Sequence, residues 1–150
     1  SQNIGHFGFS LLILSIWFNN IFSTEVITNL KIGETFKSEK FTIKFTNIDQ
    51  ENGKNFKAII GKFNVKYLDG SVDFLSPELR IYNQPNIITS EADIKTNLFT
   101  DKFITMNYVQ NQEYFNIRYQ EKPLMIWIWI SVILISLSGL LSVLKKKIWN

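Results

Sequence analysis

His6 is the only histidine in the 150-residue chain, standing in Gly5-His6-Phe7-Gly8-Phe9-Ser10 at the mouth of an apolar run. An ionisable group inside a membrane-length segment is costly, which makes it a candidate functional site. Imidazole is the usual nitrogen ligand of haem iron and of other borderline metals. Flanking glycines remove side-chain bulk and would let a flat macrocycle lie close against the helix backbone. The plainer alternative is a histidine hydrogen-bonded to a neighbouring helix or resting at headgroup level.

Other chemistries are limited by composition. Cysteine is absent, which excludes a thiol nucleophile, a thiolate metal site and a disulfide. With one histidine near the chain start, a Ser-His-Asp arrangement cannot form within the polar middle of the chain. The carboxylates are scattered, without metal-loop spacing. Three readings remain from the residues: a cofactor-binding membrane subunit, a membrane-anchored interaction module, or a transporter fragment.

The elements that must position His6 follow from hydropathy. Apolar residues collect at the two ends of the chain. Leu124 to Leu144 carries no charge, and its 21 residues at 1.5 Å each span roughly 30 Å, the hydrocarbon thickness of a bilayer. Pro123 fits the first turn of that helix, and Trp127 and Trp129 fit an aromatic belt at one interface. The first apolar run, Ile4 to Phe22, is interrupted by Asn19 and Asn20 near its end. It lacks the basic start and small-residue cleavage motif of a signal peptide. The reading is two transmembrane helices, the first (residues 1–22) carrying His6 and expected to begin before Ser1, the second spanning 124–144.

Charge orients the pair. Between Ser23 and Pro123, Lys plus Arg and Asp plus Glu each come to 13, so the whole excess of +3 is Lys145, Lys146 and Lys147. A lysine cluster directly after a span marks the cytoplasmic or matrix side. Residues 145–150 are therefore a basic inner tail, and residues 23–123 are expected in the periplasm or intermembrane space of a bacterial or mitochondrial inner membrane. A basic nucleic-acid surface is absent from the middle segment.

That middle segment reads as all-β, a small sandwich or barrel. Phe41–Thr46 and Phe63–Tyr67 alternate apolar and polar at period two. Turn signals stand at Lys31-Ile32-Gly33-Glu34, Glu51-Asn52-Gly53-Lys54 and Asp69-Gly70-Ser71. Further β-favouring runs are Leu79–Tyr82, Phe103–Val109 and Tyr114–Tyr119. Glu91-Ala92-Asp93-Ile94 fits a helical turn or an edge strand equally.

In order along the chain, Gly-His-Phe-Gly, a Lys-x-Gly-Glu strand start, Gly53-Lys54-Asn55-Phe56-Lys57-Ala58 and Ser76-Pro77-Glu78-Leu79-Arg80-Ile81-Tyr82 resemble the C-terminal part of the CcmF family. The likeness continues through Thr89–Ile94, Asp101-Lys102-Phe103 and Lys122-Pro123-Leu124. Ser131, Ser138 and Leu79 depart from it, standing where the family often has Gly, Gly and Lys. The family is the membrane haem lyase of cytochrome c maturation. The resemblance implies that His6 is an axial iron ligand of a haem b shared with a histidine outside this chain, and that this haem keeps delivered haem reduced for thioether attachment to Cys-x-x-Cys-His of apocytochrome c. It implies as partners the remaining helices or split subunits of the lyase, the haem chaperone and thiol-reducing subunits, apocytochrome c, quinol and the bilayer. This chain by itself would not be catalytic. The Ser76–Tyr82 stretch has a structural reading, with Pro77 ending a strand and Arg80 paired to Glu78 or a carbonyl, beside partner docking. The alternative for the whole chain is a non-enzymatic membrane-anchored β module that docks a periplasmic partner, with His6 structural.

The charge pattern predicts that residues 23–123 face outward and both termini inward. Protease added to sealed, oriented vesicles should digest the middle segment from the outer side; digestion only after the inner face is opened would reverse the orientation.

Overall fold

The computed structural model describes residues 2–148, with side chains up to Lys145. In chain order it holds helix α1 (Gln2–Phe22), ten strands and helix α2 (Met125–Ile148). The strands are β1 (Thr24–Leu30), β2 (Thr35–Lys37), β3 (Phe41–Asn52), β4 (Phe56–Tyr67), β5 (Val72–Leu75), β6 (Glu78–Asn83), β7 (Asn86–Glu91), β8 (Asp93–Thr96), β9 (Thr100–Tyr108) and β10 (Phe115–Pro123). The chain divides into two compact units: residues 25–95 with 102–120, and the two helices with their flanking residues up to 24 and from 121, together with 96–101.

The strands form a sandwich. One sheet runs β1-β10-β9-β8; the other runs β2-β3-β4-β6-β7, with β5 also on β4. The expected turns at 51–54 and 69–71 close the β3–β4 and β4–β5 hairpins, and the one at 31–34 carries the chain from β1 in one sheet to β2 in the other. Gly33 (φ +88°) and Gly70 (φ +84°) take left-handed backbone that a side chain would strain. The Lys31–Glu34 stretch is thus the turn its residues signal, and β2 starts directly after it. Glu91–Ile94 resolves as the passage between sheets, with β7 ending at Glu91 and β8 forming an edge of the four-stranded sheet.

Alternation alone does not carry β3 to its end. Phe41, Ile43 and Phe45 point inward, and strict period two would then turn Asn47 into the core. A bulge between Phe45 and Asn47 shifts the parity, so that Phe45 pairs with Phe63 and Ile48 with Gly61. Thr46 Oγ1 donates to Lys62 O at 2.9 Å across the irregularity. Gly61 leaves space as well: a Cβ there would stand 2.7 Å from Phe63 Cε2 and 2.8 Å from Met106 Sδ of the opposite sheet.

The core between the sheets is aromatic and aliphatic. Phe45 stacks on Phe63 at 4.4 Å between centroids, and Phe41 meets Tyr119 edge-on at 4.8 Å. Ile43, Val65, Ile104, Met106 and Ile117 are fully enclosed around them. β5 and β6 share one edge of β4, pairing with residues 63–66 and 56–60 respectively. Buried Pro77 occupies the jog between them, where no N–H is required, and its carbonyl accepts from Gly61 N at 2.9 Å.

A polar cluster ties the two sheets at their side. Asp73 on β5 accepts from Lys95 Nζ at 2.7 Å and Lys102 Nζ at 2.9 Å, on β8 and β9. Lys102 also stands 3.7 Å from the centroid of the Tyr67 ring, and Tyr67 and Tyr119 share a hydroxyl hydrogen bond of 2.9 Å. Partial burial pushes the Asp73 carboxyl up, but hydrogen bonds from Lys95, Lys102 and Tyr67 outweigh it and hold it at about 2.

The second unit is the helix pair. Pro123 is the last residue of β10 and does not open the helix as its sequence position suggests. Leu124 turns the chain at φ 58°, and α2 starts at Met125. The Asn97 side chain caps a tight turn by accepting from Phe99 N and Thr100 N, both at 2.8 Å. That turn offers Phe99 O to Leu124 N (2.7 Å) and Leu98 O to Trp127 Nε1 (2.8 Å). At its other end α2 runs past Leu144 to Ile148, since lysines are good helix formers and complement the negative end of the dipole. The side chains of Lys146 and Lys147, like Ser1 and Asn150, lie outside the described residues, and much of the expected basic inner tail falls among them.

Asp73→Asn should lower sandwich stability by about 1–2 kcal/mol near neutral pH. The carboxyl is depressed on folding, so its contribution is complete above the ordinary range near 3.8 and fades as pH falls toward 2. Denaturant titration of wild type and variant should show midpoints that differ at pH 7 and converge at pH 2; a constant gap would contradict the assignment.

Candidate functional site

The site is built on α1. Over 21 residues the helix has no charged side chain except what His6 can acquire, and an 18-residue window of it is apolar enough to cross a bilayer, as is one in α2. Their contact is made by small residues. A Cβ on Gly5 would stand 2.8 Å from Ser138 Oγ; one on Gly8 would stand 3.1 Å from both Leu134 Cβ and Ile135 Cγ1. Ser15 on α1 and Ser131 and Ser138 on α2 are buried. Gly8 to Ser15 and Ser131 to Ser138 are each one heptad apart. The pairs 5 with 138, 8 with 135 and 19 with 123 run in opposite directions, so the helices are antiparallel. Asn19 Nδ2 closes the far end with a 2.6 Å bond to Pro123 O.

The polar atoms this introduces are mostly answered within the helix. Ser131 Oγ donates to Trp127 O at 2.6 Å, and Ser136 and Ser142 bond back one turn likewise. Ser15 Oγ is buried with no hydrogen-bond partner among the described residues.

This contact determines where His6 faces. At 100° per residue His6 is about 160° around the helix from Gly8 and about 180° from Ser15. The imidazole is exposed, as are Phe7 and Phe9 beside it. No hydrogen bond or ion pair engages it among the described residues, and no group of three or more metal-ligating side chains gathers anywhere among them. The structure therefore presents one free imidazole on a face of α1 that α2 does not cover. The two glycines expected to admit a flat macrocycle beside His6 instead admit α2. An exposed, unengaged imidazole with aromatic neighbours and a bare helix face fits half of a bis-histidine haem site.

The motif stretches outside α1 come together on the sandwich. Phe56 pairs with Tyr82, Ala58 with Arg80 and Ile60 with Glu78 across β4 and β6. Arg80 Nε bonds Glu78 Oε2 at 3.0 Å, and its guanidinium stands 5.1 Å from the Phe56 centroid. The pairing of Arg80 with Glu78 is thus one of the two expected. The small-residue face of the helices was not singled out as an interface from sequence, although its heptad spacing was legible there.

Two bilayer-length helices bracketing a β-sandwich, one carrying a lone unengaged histidine, define a membrane-embedded subunit with an extramembrane β domain. The chain belongs to the family described as CcmF C-terminal beta-sandwich, whose profile matches residues 21–123. It is 29% identical over 146 residues to "Cytochrome c-type biogenesis protein CcmF" of Haemophilus influenzae, covering 96% of this chain and 22% of that protein. It is 27% identical over 142 residues to "Cytochrome c-type biogenesis protein ccl1" of Rhodobacter capsulatus, covering 95% of this chain and 22% of that one. The chain thus spans about a fifth of the length of the curated relatives it matches. A solved structure, "Cytochrome c Heme Lyase CcmF", shares the fold with a TM-score of 0.69 at 20% identity, over 91% of this chain and 23% of that one.

The antiparallel contact is directly testable, because the chain has no native cysteine. The Cβ positions of residues 5 and 138 are about 3.5 Å apart, within disulfide range. The double variant Gly5→Cys, Ser138→Cys should cross-link under mild oxidation and shift on a non-reducing gel. Adding Gly8→Leu should suppress that cross-link several-fold by forcing the helices apart.

Proposed function

We propose that this chain is part of the membrane haem lyase of cytochrome c maturation, with His6 supplying one axial ligand to a transmembrane haem b. The observation that carries the reading is the direction of His6: a free imidazole on the α1 face opposite α2, where other membrane helices can pack. The second axial histidine comes from outside this chain, since His6 is the only one here. A haem held by His6 and a residue outside this chain would relay electrons drawn from quinol, keeping delivered haem reduced for thioether attachment to Cys-x-x-Cys-His of apocytochrome c.

The chain's own residues do three things in this scheme. His6 holds iron through its imidazole and moves no proton. Gly5, Gly8 and Ser138 keep α2 close on the opposite face, so that His6 is turned toward its partner helices. The β-sandwich, placed on the periplasmic or intermembrane-space side, offers the extramembrane surface on which the haem chaperone, the thiol-reducing subunits and apocytochrome c can assemble.

His6→Ala in the assembled complex should abolish the reduced haem b absorbance and lower holocytochrome c yield at least tenfold, while the sandwich stays folded. Its core residues lie among the strands, so circular dichroism of the β domain should not change. An unaltered reduced spectrum would remove His6 from the ligand set.

A further inference from the structure

A second feature of the helix pair points to a ligand of a different chemistry. Where α1 finishes and α2 begins, a groove of about 580 Å³ opens along the helices. Its floor is apolar, formed by Ile16, Trp17 and Ile128, and its rim is polar, formed by Asn20, Ser23 and Lys122. Asn19, also at the rim, already gives its amide to Pro123 O. Among the described residues Lys122 has no carboxylate within ion-pair distance, and neither the Asn20 amide nor the Ser23 hydroxyl has a hydrogen-bond partner. The level is that of a bilayer interface: Trp127 bonds the Leu98 carbonyl here, and Trp17, Leu98 and Phe99 are largely exposed.

We propose that this groove holds one anionic phospholipid, its phosphate on Lys122 and its upper acyl chain along Ile16, Trp17 and Ile128. A cation and two uncharged donors without an acceptor match phosphate oxygens at the rim. The floor carries no charge, which suits an acyl chain. A single lysine attracts an anionic headgroup only modestly at a bilayer surface; the groove adds apolar contact to it. The site commits to a phospholipid over free phosphate because the apolar floor has nothing to offer an inorganic ion.

The test uses the assembled membrane protein, equilibrated with vesicles of mixed phosphatidylglycerol and phosphatidylcholine, extracted in mild detergent and analysed by native mass spectrometry. One phosphatidylglycerol per complex should be retained in preference to phosphatidylcholine, and excess inorganic phosphate should leave it bound. Lys122→Gln should cut that retention about tenfold, and Lys122→Arg should restore it. Equal retention of the two lipids by the wild type, a measurement that needs no variant, would overturn the proposal, as would unchanged retention in Lys122→Gln. A unique Ile16→Cys that cross-links in high yield to a neighbouring polypeptide would overturn it too, since a protein segment would then fill the groove.

Discussion

The close approach of α1 and α2 over Gly5, Gly8 and Ser138 is the contact on which the membrane unit depends. Between two apolar helices in lipid the hydrophobic effect gives no net attraction, because lipid tails are as apolar as leucine. What remains is short-range packing, and that needs residues without bulk on the contact line. Gly8 lets the side chains of Leu134 and Ile135 stand against the α1 backbone, and Gly5 does the same for Ser138. Once that face is occupied, helix periodicity leaves no freedom for His6, which lies half a turn away. The same contact therefore accounts for both the burial of three serines and the exposure of the one imidazole.

The extramembrane unit is held by a different balance. Its core is a run of aromatic contacts, Phe41 on Tyr119 and Phe45 on Phe115 between the sheets and Phe45 on Phe63 within one, enclosed by branched aliphatics. Asp73 adds a charged tie at the edge of that core, accepting from lysines of the other sheet while Lys102 lies over the Tyr67 ring. Such a pair, partly sheltered and shared among several donors, is favourable where an isolated exposed pair is nearly neutral. The bulge at Thr46 lets one strand serve two stretches of core, and Gly61 gives Met106 of the facing sheet the room to reach it.

Family membership places this chain among proteins of cytochrome c biogenesis, of which it matches about a fifth. The residues named most readily from the motifs divide on inspection into two kinds. Pro77, Glu78 and Arg80 organise the sandwich, through a jog between strands and a bonded side-chain pair. His6 does nothing for the fold that the structure records. A costly ionisable group without a structural duty supports the ligand role proposed for His6.

Sequence by itself determined the two apolar helices, the all-β middle, most of the turns and the singular status of His6. These follow from local quantities: hydropathy over twenty residues, alternation at period two, glycine where backbone turns left-handed, and a count of one. It misjudged Pro123, which ends β10. Strands β1, β2, β5 and β7 were not read at all; in β7 the adjacent Ile87 and Ile88 break the alternation, and β2 is three residues long. Only the tertiary structure decided which face of α1 meets α2, because Gly5 and Gly8 flank His6 and serve either face equally well on paper. The pairing of Asp73 with lysines about twenty and thirty residues away, and the parity change at Thr46, were likewise beyond the sequence. Each depends on which strands become neighbours, and that is settled by the packing of the whole sandwich rather than by any stretch of residues within it.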